Sequence, residues 1–283
     1  MRILLTNDDG IGAPGLAVMA RHVARWMAQG PPGEERDAII VAPHTNHSGM
    51  SSAVGDVFDH PSVAYRRHRI TGAETIPTFA LEAPPALCAL LGALGSFDVT
   101  PDVVLSGINA GANVGRSVLH SGTIGAILTG AQLGLSGMAV SVQWGDEVHF
   151  ETAGAVAVEV FEHLMAAPSR TLLNLNVPNL PASQLRGVRR GRISTAGIVK
   201  AAGPRAGGEP LAEEGELPLR LGAATPQLGD VSDEAVDDDG ALLAAGFASL
   251  TPLRGPHEDT DTALDGVIRA ALDSISAHLA EQR

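Results

Sequence analysis

Two adjacent carboxylates, Asp8 and Asp9, follow closely on a short apolar run, Ile3-Leu4-Leu5, and lead into Gly10. An unbroken apolar run suits a strand covered on both faces, and Gly10 permits the tight turn that leaves it. Paired acids at the end of a buried strand repel each other unless a cation lies nearby. In an open α/β sheet, the carboxyl edge is also where ligands bind. Further along stand a hydroxyl at Ser48 and an amide carbonyl at Asn109. With the two carboxylates they form a hard-oxygen donor set suited to Mg²⁺ or Mn²⁺. Ser121-Gly122-Thr123, at an expected helix start, offers hydroxyls and free backbone N–H groups for an anion. Ser48-Gly49 is a second small turn able to approach one closely. A carboxylate-held cation beside an anion cradle is what metal-assisted phosphoester hydrolysis requires. Each piece alone has a plainer reading. Asp-Asp-Gly can be a capping turn, Ser121 a helix N-cap, and Asn109 a turn residue tolerating left-handed geometry.

The elements that must bring these residues together alternate in type. Leu16, Met19, Val23 and Trp26 recur at helical spacing after the acidic turn. Asp37 to Ala42 reads as a second buried strand, ended by Pro43. Residues 54–80 alternate weakly and suggest outlying β-structure, and Ala83 to Leu94 is expected to be helical. Further strands are expected at Asp102 to Ser106, Gly137 to Val142 and Thr171 to Val177, with helices at Ile124 to Leu135 and over 151–166. This order predicts a Rossmann-like, doubly wound, mostly parallel sheet over residues 1–182. Several strands end in Asp, Ser or Asn with a Gly, and parallel topology gathers those ends on one edge. Residues 183–283 are expected to form an extension of long loops, with a late strand near Phe247 to Thr251. The acid run Asp237-Asp238-Asp239 reads as a solvated face. Leu264, Val267, Ile268, Leu272, Ile275 and Leu279 share one helical face, which predicts a helix over about Thr262 to Leu279 whose apolar face packs either against another subunit or on its own core.

Composition narrows the function. The chain has 283 residues, 45% of them hydrophobic, with a formal net charge of −13. That balance argues against a broad nucleic-acid face, which needs a basic surface. Lys200 is the only lysine, so no P-loop lysine is present, and a receiver-type phosphoacceptor site has no suitable lysine either. The first strand leads into Asp-Asp-Gly rather than Gly-x-Gly-x-x-Gly, against a dinucleotide oxidoreductase. Cys88, the single cysteine, lies in an apolar run and reads as a buried structural thiol. No leader of signal-peptide length and no membrane span is evident, so the expected location is cytoplasmic, with no membrane partner.

Several blocks together carry a family resemblance. Thr6 to Gly15, Ala42-Pro43 with Ser48-Gly49, Ser106 to Gly115 (Ser-Gly-Ile-Asn-Ala-Gly-Ala-Asn-Val-Gly) and Ser121-Gly-Thr123 resemble the SurE (survival protein E) family. Asn174-Leu-Asn-Val-Pro178 and Gly246 to Leu253 are similar to its later segments. The resemblance implies a divalent-metal-dependent 5′/3′-nucleotidase of nucleoside monophosphates, assembled as a homodimer or homotetramer. It implies one metal ion on Asp8, Asp9, Ser48 and Asn109, with Asp8, Asp9 and Asn109 catalytic. The expected phosphate contacts are Asn7, Gly49, Ser121, Gly122 and Thr123, with Ser106, Asn113 and His120 behind them. His120 stands where the family often has an aromatic residue, and reads either as a proton donor or as a packing residue. Residues 195–230 lack the aromatics that the family commonly carries after its core. Two rival readings remain at this point. One is a phosphatase on other small monoesters or short polyphosphates, and the other is a nucleotide-binding module without turnover.

Overall fold

In the computed structural model, residues 1–57, 59, 62–195, 199–201, 219–221, 237–256, 268, 269 and 271 are described. The apolar run at the amino end forms β1 (Arg2–Thr6). It lies between β2 (Asp37–Pro43) and β5 (Val103–Ala110), parallel to both. With β3 (Tyr65–His68), β4 (Thr78–Leu81), β6 (Ser136–Val142), β7 (Leu172–Val177), β8 (Val188–Arg190) and β11 (Ala248–Leu253), these strands make one nine-stranded sheet. Its order is β3-β4-β2-β1-β5-β6-β7-β11-β8. The pairings of β3 with β4 and of β11 with β7 are antiparallel, and the others in the sheet are parallel. A separate pair, β9 (Val199–Ala201) and β10 (Leu219–Leu221), is antiparallel.

Alternation along β1 shows why both faces are covered. Ile3 and Leu5 join a core with Leu16, Met19, Val23 and Trp26 of α1 (Pro14–Ala28) and Phe161 of α4 (Phe150–Met165). Leu4 points the other way, into a core with Leu87 and Cys88 of α2 (Pro85–Ala93) and Ile124 and Ile127 of α3 (Gly122–Gln132). The result is the three-layer α/β arrangement that the strand and helix order predicts, with a mostly parallel sheet. From β1 the chain steps to β2 and β4 on one side, then returns through β5 to the other. The carboxyl ends of β1 and β5 therefore flank a topological switch point, the usual ligand crevice of such sheets.

Three expectations change. The segment expected to be outlying contains β4, whose four residues are all buried between β2 and β3; only the edge strand β3 is exposed. The expected boundary near residue 182 falls inside a compact unit, Met1–Leu253, followed by a second, Arg254–Arg283. The reason is strand order: β11 inserts between β7 and β8, so the late strand is part of the main sheet rather than of an appendage. The acid run at 237–239 is not simply solvated, because Asp239 is fully buried at the start of α5 (Asp239–Ala244). The expected carboxyl-terminal helix and the aromatic-poor stretch lie almost wholly outside the described residues; residues 268, 269 and 271 are helical. Among the described residues no helix is long and apolar enough to cross a membrane.

Candidate active site

Asp8 and Asp9 leave the end of β1 in a turn braced from within. Asn7 is fully buried and its Nδ2 donates to Gly10 O at 2.8 Å. At Gly10 φ is +97°, and a Cβ there would stand 2.9 Å from the Thr45 carbonyl carbon, so the turn and the loop after β2 require glycine. That loop is tied down in turn. His47 N donates to Asp8 O at 2.7 Å, and Ser51 Oγ donates to Leu119 O at 2.7 Å. Gly125 lets the Ser51 backbone lie directly on α3, where any side chain would collide with it.

The two acids are held differently. Asp8 is 3% exposed and accepts a hydrogen bond from Thr123 Oγ1 at 2.6 Å. A Cβ on Gly122 would stand 2.7 Å from the Asp8 Cβ, so the first turn of α3 packs directly on this acid. Burial pushes the Asp8 carboxyl above its ordinary range, while the Thr123 hydroxyl and the backbone N–H groups of Thr123 and Gly122 pull it down. Asp9 receives Ala110 N on Oδ2 at 3.2 Å and Asn46 Nδ2 on Oδ1 at 3.4 Å. Burial, and then the charge of Asp8, raise it to about 6, with only the Ala110 N–H opposing. Asp9 opens on a cleft of about 460 Å³ shared with His44, Asn46, Ala110, Trp144 and Phe150.

A network reaches back from Asp8 into the sheet. Thr123 Oγ1 is also approached by Asn113 Nδ2 at 3.4 Å, and that nitrogen donates to Ser141 Oγ at 2.9 Å. The Asn113 backbone is clamped by β7. Its N–H donates to Asn176 Oδ1 at 2.7 Å, and its carbonyl accepts from Asn174 and Asn176 at 2.8 and 3.1 Å. The next residues are gripped by Asp239, whose Oδ2 accepts from Gly115 N at 2.9 Å. Its Oδ1 accepts from the N–H groups of Gly240 and Ser194 at 2.9 and 3.1 Å.

The donor set fits a hard divalent cation. A carboxylate whose proton affinity is raised by burial and by a charged neighbour, as at Asp9, is relieved by a positive charge, and Asn109 leaves its amide oxygen for one, since its Nδ2 donates to Gly111 O at 2.7 Å. Among the described residues no three His, Cys, Asp or Glu side chains converge.

Several expected contacts take another form. From the loop after β2 it is Asn46, not Ser48, that reaches Asp9; Ser48 is exposed and spends its N–H on Asn46 Oδ1 at 2.8 Å. Asn7 lies beneath the turn, so its side chain is not an anion contact. The Thr123 hydroxyl is committed to Asp8. Ser121 is indeed the N-cap of α3, accepting from Ile124 N at 3.2 Å. Gly49 adopts φ +83° with open space about its Cα, consistent with close approach of an anion. Ser106 is fully buried beside Thr6 in β1, and His120 is exposed, its carbonyl accepting from Ser51 N at 3.2 Å. Residue types alone did not single out Asn46, Ser141, Asn174, Asn176, Asp239 or Trp144. The one visible signal was Asn174-Leu-Asn176, two amides on the same face of an apolar strand.

The chain is similar to known proteins along most of its length. The family model for survival protein SurE matches residues 3–199. A 5′-nucleotidase SurE from Ectopseudomonas mendocina is 35% identical over 283 residues, spanning 99% of this chain and 98% of its own. A 5′/3′-nucleotidase SurE from Salmonella paratyphi A is 32% identical over 285 residues, spanning 97% and 98%. The crystal structure of the SurE protein from Aquifex aeolicus superposes with a TM-score of 0.70 at 26% identity, covering 96% of this chain and 99% of that one.

Proposed function

The chain belongs to the survival protein SurE family, and on that premise we propose that it is a divalent-metal-dependent phosphomonoesterase of nucleoside 5′- and 3′-monophosphates. The observation that carries this reading is the adjacent pair Asp8 and Asp9 at the end of β1, with Asp9 open to a cleft at the switch point of the sheet. Asp8, Asp9 and Asn109 would hold one Mg²⁺ or Mn²⁺ ion, with Ser48 or Asn46 from the neighbouring loop. Such an ion polarises the phosphoryl oxygen and lowers the pKa of a bound water.

The remaining work falls to the chain itself. Thr123 fixes one Asp8 oxygen, and the first turn of α3 steadies the negative charge of that acid. Asn113, Ser141 and the β7 amides set the position of Thr123, so the acid pair is held by rigid elements rather than by a mobile loop. Gly49 and the Ser121 hydroxyl are the groups left for the phosphate, because the N–H groups of Gly122 and Thr123 already serve Asp8. Homo-oligomeric assembly and a cytoplasmic location belong to the same reading and rest on the family resemblance; light scattering and cell fractionation test them.

The deciding experiment is phosphate release across a panel of nucleoside monophosphates, with chelator and with added Mn²⁺ or Mg²⁺. Metal-dependent release from nucleotides is expected. Release only from base-free monoesters or short polyphosphates would move the protein to a general phosphatase, and no release with either metal would leave a binding module.

A further inference from the structure

Of the two tryptophans in the chain, one is a core residue. Trp26 is 5% exposed, stands edge-on to Phe161 at 5.5 Å and donates Nε1–H to Glu162 at 3.1 Å. The other, Trp144, is 71% exposed. Leaving so large an aromatic surface in water forgoes the burial that would stabilise it. The position is not a floppy tip. Trp144 follows β6 directly, and Gln143 N continues the sheet by donating to Val177 O at 2.8 Å. Beyond it, Asn179 pins the loop from both sides. Its Nδ2 donates to Glu147 O at 2.7 Å, and its Oδ1 accepts from His149 N at 2.8 Å. Gly145 has room for no side chain, since Asn179 Nδ2 occupies that space. The indole is therefore carried on a fixed support.

That support ends on the wall of the cleft that Asp9 opens into, with Phe150 as a second aromatic wall. Phe150 starts α4 and rests on Gly15 of α1; a Cβ at Gly15 would meet Phe150 Cε1 at 2.9 Å. Both aromatics thus belong to the same cavity as Asp9, about 460 Å³, within the size range of small-ligand sites. An exposed indole in a cleft that also holds a carboxylate is a stacking platform, suited to a flat, π-bearing ligand whose other end is polar.

Building on the nucleotidase reading, we propose that Trp144 stacks on the base of the substrate nucleotide and, with Phe150, supplies the preference for nucleotides over base-free phosphomonoesters. His44 and Asn46 also line the cleft and would be the polar groups for the base and sugar, with Asp9 at the phosphate end. A ring of either purine or pyrimidine type has a face to offer, so the platform discriminates base from no base rather than one base from another.

The test compares adenosine 5′-monophosphate with ribose 5-phosphate, which keeps the sugar and phosphate and lacks the base, on the full chain with Mn²⁺. Trp144→Ala is expected to raise KM for the nucleotide about tenfold with kcat little changed, and to leave ribose 5-phosphate unaffected. Trp144→Phe should restore most of the loss. Equal losses on both substrates, or an unchanged KM for the nucleotide, would overturn the proposal. So would a change of mass in light scattering for Trp144→Ala, which would assign the indole to a subunit contact. A second readout does not depend on turnover. Adenosine should quench emission excited at the red edge of the wild-type protein, and Trp144→Phe should lose that quenching. No quenching in the wild type would refute stacking. A wild type that is quenched yet releases no phosphate would instead sink the nucleotidase reading alone.

Discussion

Two acidic clusters of this protein look alike as strings of letters and do opposite things. Asp237-Asp238-Asp239 is saturated. Asp239 spends both oxygens on three backbone N–H groups, Asp238 caps α5 through Gly240 and Ala241, and Asp237 pairs with Arg192 at 2.9 Å. Asp8 is served by the Thr123 hydroxyl and by the backbone N–H groups of Gly122 and Thr123, but Asp9 has one backbone donor at 3.2 Å and one amide at 3.4 Å, and it faces an open cleft. Burial raises the pKa of Asp8, Asp9 and Asp239 alike, so a raised pKa does not identify the working pair. What separates the clusters is how many donors already serve the oxygens. A carboxylate ringed by N–H groups is a brace, and a pair whose open member, Asp9, is short of donors has capacity for a cation and a substrate. The brace also serves the pair, because Asp239 holds Gly115 in the segment that leads to α3.

The contrast is sharpest in activity. Asp9→Asn should lower metal-dependent phosphate release on the order of a thousandfold with the fold intact, by circular dichroism, whereas Asp239→Asn should stay within a few fold. Near-normal turnover in Asp9→Asn with metal limiting would break the distinction.

The next effect concerns positioning. Thr123→Val removes the hydroxyl that fixes Asp8 and should weaken metal affinity by roughly 10- to 100-fold, read by titrating Mn²⁺ into the folded protein. Thr123→Ser, which keeps the donor, should recover most of it; a serine variant as weak as the valine one would mean that packing, not the hydrogen bond, matters. Gly122→Val sharpens the same point. Its branched side chain would press on Asp8 and on Pro85, so metal affinity should fall along with any loss of phosphate inhibition.

For stability the order reverses. Asp239→Asn trades an accepting oxygen for an amide that cannot accept, which strands a buried N–H and should cost about 1–3 kcal/mol, seen as a lower denaturation midpoint. Asp9→Asn should leave metal-free stability unchanged or improve it, because it removes a charge that burial and Asp8 disfavour.

The smallest effect is the pH dependence of the metal-free protein. A folded carboxyl pKa raised from 3.8 to about 6 means that the folded state binds more protons than the unfolded one between those values. The contribution of Asp9 therefore lowers stability as pH rises from about 4 to 6, and Asp8 and Asp239 act in the same direction. A thermal scan against pH should show the decline, and excess Mn²⁺ should reverse the share due to Asp8 and Asp9 only. Reversal that persists in Asp9→Asn would place the cation elsewhere.

How much of this was legible in the chain follows from how local each feature is. The apolar run of β1, the acidic turn with Gly10, the helical spacing of α1 and the Ser121 cap depend on neighbours a few residues away, and they can be read directly. The mostly parallel sheet follows from the alternation of strands and helices, because a parallel return needs a crossover. Tertiary structure alone decided which polar atoms meet. Thr123 finds Asp8 across 115 positions, and Gly115 finds Asp239 across 124. Asn46 rather than Ser48 reaches Asp9 because His47 is tied to the Asp8 carbonyl, which sets how the loop lies. The insertion of β11 between β7 and β8 goes with the burial of Asp239, one member of an acid run that composition marks as solvated, and the Asn179 clamp left Trp144 on the cleft. Spacing and residue type encode local conformation and which face is apolar. The partner of a buried donor or acceptor is set by strand order and register, which join distant segments and leave no mark in the local pattern.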